Sequence, residues 1–121
     1  MKKCVFVLED NDELRELFTY ILEQESHEVQ AFPTAAAFWE RIGNFLPDLF
    51  LLDVMLPDGN GLDICCELKK DPKTAAIPVI VTSAHADLKQ MNKKCAAEEF
   101  LAKPFDIYEF VDKVERHLQL Q

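Results

Sequence analysis

Short apolar runs alternate with longer segments whose apolar positions recur every three or four residues, from one end of the chain to the other. Cys4-Val5-Phe6-Val7-Leu8 is an unbroken apolar run, after which Leu14, Leu17, Phe18, Ile21 and Leu22 mark one face of a helix. Glu28-Val29-Gln30-Ala31-Phe32 alternates as a second strand. Thr34 is the expected N-cap of a helix carrying Phe38, Trp39 and Ile42, with Gly43-Asn44 as its stop. Leu49-Phe50-Leu51-Leu52 reads as a third strand, and the turn Asp58-Gly59-Asn60-Gly61 leads into a helix that runs to Lys70 and closes at Asp71-Pro72. A fourth strand is predicted over 77–82, a helix over 87–95 with Leu88 and Met91 apolar, and a short fifth strand over 100–102. In the last helix Asp106 is the N-cap and Glu109 completes a capping box. Its buried stripe is Ile107, Phe110, Val111, Val114 and Leu118.

The order is (βα)₅, an α/β fold with no repeat, linker or low-complexity segment, so one domain over 1–121 is expected. Parallel strands covered on both faces read as continuous apolar runs, as strands one, three and four do; the alternating second strand and the short fifth are then the edges. With right-handed crossovers and helices on both faces, the simplest order is 2-1-3-4-5, a doubly wound, flavodoxin-like parallel sheet. Its switch point lies between strands one and three, where such sheets bind ligands beyond their carboxyl ends.

Charge narrows the reading further: 22 acidic against 13 basic side chains in 121 residues give a net charge of −9, which disfavours direct nucleic-acid contact by this domain. No apolar stretch approaches the roughly 20 residues that span a bilayer. Met1-Lys2-Lys3-Cys4 runs straight into the first strand without a cleavage-site pattern, so a cytoplasmic location is expected. Cys4, Cys65, Cys66 and Cys95 show no C-x-x-C spacing and are expected as free buried thiols. Trp39 is assigned to packing, and His27 and His117, outside the crevice, to solvated surface.

The switch point is where the polar residues gather. Strand one ends in Glu9-Asp10, strand three in Asp53, strand four in Thr82-Ser83, and strand five in Lys103. Singly each has a plain structural explanation: Asp10 capping a helix, Asp53 in an Asx-turn, Ser83 serving loop amides, Lys103 solvated. Together, three neighbouring carboxylates repel one another unless a cation or proton sits among them. Oxygen donors with no His or Cys nearby suit a hard ion, Mg²⁺ above a many-ligand Ca²⁺ cage. Mg²⁺, an ammonium and a hydroxyl around one carboxylate are the equipment of phosphoryl transfer, with Asp53 the natural nucleophile.

Four segments in order carry a family likeness: Val7-Leu8-Glu9-Asp10; Leu51 to Gly61 with Asp53 near its start; Pro78-Val79-Ile80-Val81-Thr82-Ser83-Ala84; and Phe100-Leu101-Ala102-Lys103-Pro104-Phe105. Over its whole length the chain resembles the receiver domain of two-component response regulators. The resemblance implies that Asp53 accepts a phosphoryl group from a histidine kinase or histidine phosphotransfer protein. It further implies that Asp10, Asp53 and the backbone carbonyl of Met55 hold Mg²⁺, with Glu9 helping through water. Lys103 and Ser83 would bind the phosphoryl oxygens, and Phe100 would turn inward as the aromatic switch. The face of the fourth helix, fifth strand and last helix would then be re-presented to a downstream protein, in a signalling switch and not an enzyme.

Glu9 stands where the family more often has Asp, Ala96-Ala97 replaces a Gly-Ala pair, and the stretch from Ser83 to Lys103 is about two residues short. Met55 and His85 lie two residues beyond Asp53 and Ser83 and are candidates for tuning the phosphoryl lifetime. Two other functions were weighed. A haloacid-dehalogenase-type phosphatase would carry an Asp where Met55 stands, and a flavodoxin-like cofactor binder would not place Glu9-Asp10-Asn11-Asp12-Glu13 against a flavin phosphate.

Overall fold

The computed structural model describes residues 3–84 and 96–119. A five-stranded parallel sheet holds β1 (Cys4–Leu8), β2 (Glu28–Phe32), β3 (Leu49–Asp53), β6 (Val79–Ser83) and β7 (Glu99–Ala102) in the order β2-β1-β3-β6-β7. A two-residue antiparallel pair, β4 (Met55–Leu56) and β5 (Gly59–Asn60), stands apart from it. Without that pair the order is the expected 2-1-3-4-5. The helices α1 (Asp12–Gln24), α2 (Ala35–Ile42), α3 (Gly61–Lys70) and α4 (Ile107–Gln119) complete the described elements. The helix expected over 87–95, with Cys95 and His85, lies outside the described residues.

Alternation along the buried strands divides the core in two. Phe6, Leu8, Phe50, Leu52, Val79 and Val81 face α2 and α3; Val5, Val7, Leu49, Leu51, Ile80 and Leu101 face α1 and α4. The first layer is built on aromatic edges: the Phe6 ring lies 5.2 Å from Phe32 and the Phe38 ring 5.6 Å from Phe50, both edge-on, the arrangement that ring quadrupoles favour. Trp39 packs edge-on against Phe38, as assigned. In the second layer Phe18 stacks on Phe105 and meets Phe110.

Several expectations are corrected at the surface and at element ends. Leu17 and Ile107 were placed in buried stripes, but they are 39% and 48% exposed, lining a groove between α1 and α4 with Tyr20 and Tyr108. The groove between the two helices leaves these residues open to solvent although their helical phase is right. Asn11, not Asp10, caps α1, its Oδ1 accepting the Leu14 amide. The fourth strand begins at Val79 and includes Ser83, because Ile77 belongs to a turn closed by its amide on the Thr74 carbonyl. His27 is buried and bonded through Nε2 to Glu115, while His117 Nε2 lies 3.3 Å from Glu99 Oε1; neither is a solvated surface residue. Carboxylates distant in sequence, on α4 for His27 and on β7 for His117, claim both rings. Cys4 carries a buried free thiol, pushed up to about 11 by burial and by Glu28 and Asp48. Cys65, fully buried on the core face of α3, is disulfide-bonded, which corrects the expectation of four free thiols.

Candidate functional site

Because β1, β3, β6 and β7 are parallel and in register, their carboxyl ends fall at one level. Leu8 pairs with Leu52, Asp53 with Thr82, and Thr82 with Leu101. Backbone bonds carry the ladder past the strands: Val54 N–H to the Thr82 carbonyl at 3.0 Å and Lys103 N–H to the Ser83 carbonyl at 2.8 Å. Residues 9, 53, 83 and 103 therefore line one crevice.

Glu9, Asp10 and Asp53 bring a carboxylate oxygen each to within 4.8 Å of one another. Glu9 is only 1% exposed and Asp53 is buried, whereas Asp10 faces solvent. Lys103 Nζ bridges them from the far side, 2.9 Å from Glu9 Oε1 and 3.4 Å from Asp53 Oδ1. Glu9 also accepts the Asn11 amide at Oε2. Burial, with a further contribution from the Asp53 charge, raises the Glu9 carboxyl above its ordinary value, although Lys103 and the Asn11 amide pull the other way. Ser83 is buried at the end of β6, and Phe100 is half-buried against the aromatic layer. Met55 projects into solvent from β4. The neighbouring Thr82 hydroxyl is buried without a hydrogen-bond partner among the described residues.

One glycine-dependent approach shapes the loop that carries Met55. Gly61 N–H donates to the Val54 carbonyl at 2.9 Å, and a Cβ on Gly61 would lie 2.1 Å from the Asp53 carbonyl oxygen, so only glycine lets α3 start this close to β3. Asn60 caps α3, accepting the Leu62 amide. Arg15, not among the residues expected at the site, donates from Nη1 to the Glu9 carbonyl at 3.0 Å and from Nη2 to Asp12, holding the acidic loop from behind. Its place one turn after Asn11 was the available signal, since a residue there reaches back to the loop that precedes the helix.

The donor set contains oxygen only, two of its carboxylates are buried, and the burial of like charges raises the cost of the uncompensated state. These features fit a small hard cation.

Residues 5–115 match the response regulator receiver domain family, and the chain belongs to it. It is 32% identical over 117 residues to the phosphate regulon transcriptional regulatory protein PhoB of Rhizobium meliloti, covering 95% of this chain and 52% of that protein. It is 35% identical over 116 residues to the DNA-binding transcriptional regulator NtrC of Azospirillum brasilense, covering 94% of this chain and 24% of that protein. The chain thus spans about half, or less, of the length of these relatives. Among solved structures, the signal receiver domain of a signal transduction histidine kinase from Syntrophus aciditrophicus superposes with a TM-score of 0.90 at 25% identity, covering 97% of this chain and 90% of that one. The BeF₃-activated receiver domain of DrrB superposes with a TM-score of 0.86 at 25% identity, covering 98% and 99%.

Proposed function

We propose that this chain is a single phosphoacceptor receiver domain of a two-component phosphorelay, in which Asp53 takes a phosphoryl group from a histidine kinase or histidine phosphotransfer protein. The observation that carries the reading is the joint placement of Glu9, Asp10, Asp53 and Lys103: three carboxylates and one ammonium around a single crevice at the switch point. Asp10, Asp53 and the Met55 backbone carbonyl would hold Mg²⁺, with Glu9 beside them; when bound, the ion neutralises charge on the phosphoryl oxygens.

Asp53 forms the new bond, one carboxylate oxygen attacking phosphorus while the bond to the donor's imidazole nitrogen breaks and the electron pair leaves with the donor. Burial keeps bulk water from that oxygen. Lys103 and Ser83 then answer the added negative charge, about one unit beyond that of the carboxylate, with an ammonium and a hydroxyl. Both sit on β6 and β7 or just after them, so their displacement toward Asp53 is transmitted to Phe100 and to the β7–α4 face that a downstream protein would read. The similar receiver domain of DrrB is BeF₃-activated, which supports reading this chain as a switch that responds to a phosphoryl-like group. The protein is read as cytoplasmic; no helix among the described residues is long and apolar enough to cross a membrane.

The test is Mg²⁺-dependent labelling by acetyl phosphate and by a phosphorylated histidine phosphotransfer protein. Incorporation into wild type, abolished in Asp53→Asn, is the expected result. No incorporation from either donor would overturn the reading.

A further inference from the structure

Three orphan amides at the start of α2, those of Ala35, Ala36 and Ala37, are taken by two different parts of the chain. Thr34 Oγ1 accepts the Ala37 amide at 3.2 Å and the Thr34 carbonyl accepts that of Phe38 at 3.3 Å, the ordinary duty of an N-cap. The remaining two amides are taken from a distance of more than twenty residues along the chain. Asp58 Oδ1 accepts Ala35 N–H at 2.8 Å and Asp58 Oδ2 accepts Ala36 N–H at 3.0 Å. Asp58 occupies the tip of the β4–β5 hairpin, whose other strand carries Met55 opposite Asn60.

A two-residue hairpin has almost no stability of its own. This one is fixed at its base by Gly61 N–H on the Val54 carbonyl and by the Asn60 cap on α3. Its tip is fixed by Asp58 against the positive end of the α2 dipole. The two amide bonds hold the Asp58 carboxyl below its ordinary value, as a carboxylate in that position requires. The hairpin packs close to α2 at the neighbouring residue too: a Cβ on Gly59 would lie 3.7 Å from the Ala35 methyl, ordinary van der Waals contact.

We propose that Asp58 is a positioning residue for the metal site: its carboxylate anchors the hairpin tip to α2 and so fixes the strand whose Met55 carbonyl would serve as a metal ligand. The inference rests on the metal reading given above for Met55, but the clamp itself stands on the hydrogen bonds.

Thr34 provides the control. It caps the same helix without touching the hairpin, so Thr34→Ala weakens α2 and leaves the clamp in place. Mg²⁺ affinity is measured by calorimetry, and backbone amide exchange is followed over residues 55–61, for wild type, Asp58→Ala, Asp58→Asn and Thr34→Ala. For Asp58→Ala the Mg²⁺ dissociation constant rises about 3- to 10-fold, below the ~10–100-fold seen when a side chain bonded directly to a ligand is lost. Hairpin amides exchange faster in the same variant. Asp58→Asn, with one acceptor oxygen for two amides, is intermediate and covers the case in which the alanine variant does not fold. Thr34→Ala lowers the melting temperature and changes neither readout. Unaltered exchange and affinity in both Asp58 variants, or equal changes in Thr34→Ala, overturn the clamp. Wild type that binds no Mg²⁺ overturns the metal reading instead, and the exchange comparison then decides the clamp alone.

Discussion

Lys103 Nζ stands closer to Glu9 than to Asp53, 2.9 Å against 3.4 Å. The extra methylene of Glu9, relative to the aspartate more usual in the family, places a carboxylate deep enough to engage both the lysine and the Asn11 amide. The ammonium that would serve the phosphoryl group is therefore already committed to a neighbour. Replacing Lys103 by Ala leaves that neighbour buried and unpaired. The expected outcome is a metal-free protein destabilised by about 1–3 kcal/mol at neutral pH, the cost of an uncompensated buried charge discounted for partial exposure. Urea denaturation against wild type measures it.

A second prediction concerns pH. Burial raises the Glu9 carboxyl in the fold. The native state then binds more protons than the unfolded state between the ordinary glutamate value of 4.5 and the raised one. Stability of the metal-free protein therefore falls as pH rises through that window. Glu9→Gln, which keeps shape and removes the charge, flattens the slope and is more stable than wild type at pH 7. Melting curves at stepped pH in chelator check this; a Glu9→Gln slope equal to that of wild type would contradict it.

At Gly61 the prediction is steric. A methyl group 2.1 Å from the Asp53 carbonyl oxygen and 2.8 Å from its carbon cannot be absorbed by a side-chain rotation, because the atoms it meets are backbone. Gly61→Ala is expected to cost at least the ~1–3 kcal/mol typical of overpacking. It should also slow labelling of Asp53, since the strand end itself must move. Denaturant midpoint and labelling rate fall together in this variant.

Thr82 offers a change in the opposite direction. Its hydroxyl is buried with no partner among the described residues, while its β-branched shape suits the central strand β6. Thr82→Val keeps the shape, removes the unpaired polar group and is expected to stabilise by about 1 kcal/mol. The calorimetric melting temperature reads the gain.

The sheet order and most element positions were legible because the strands carry their burial in their composition. Cys4–Leu8 and Leu49–Asp53 are buried at every residue, and β2, exposed at Glu28 and Ala31, declares itself an edge. The crevice residues were legible for the same reason: once strand order is fixed, the residue after each strand has only one place to be. What could not be read were interactions made across the fold. His27 finds Glu115 on α4, and Asp58 finds α2, through tertiary placement that leaves no local trace. Leu17 and Ile107 had the right helical phase, yet both line an open groove between α1 and α4. The Met55–Asn60 pairing was hidden because two residues per strand are too few to show a period.

The register of the sheet sets one more consequence. From β1 to β7 there are three interstrand steps, about 14 Å at the usual ~4.8 Å each. The reach of Lys103 to Glu9 closes that span with a single ion pair. The edge strand β7 is thereby tied to the end of β1, on the other side of the central strand β3. On the proposed reading, an anion that drew the ammonium toward Asp53 would loosen this tie, coupling occupancy of the crevice to freedom of the sheet's edge.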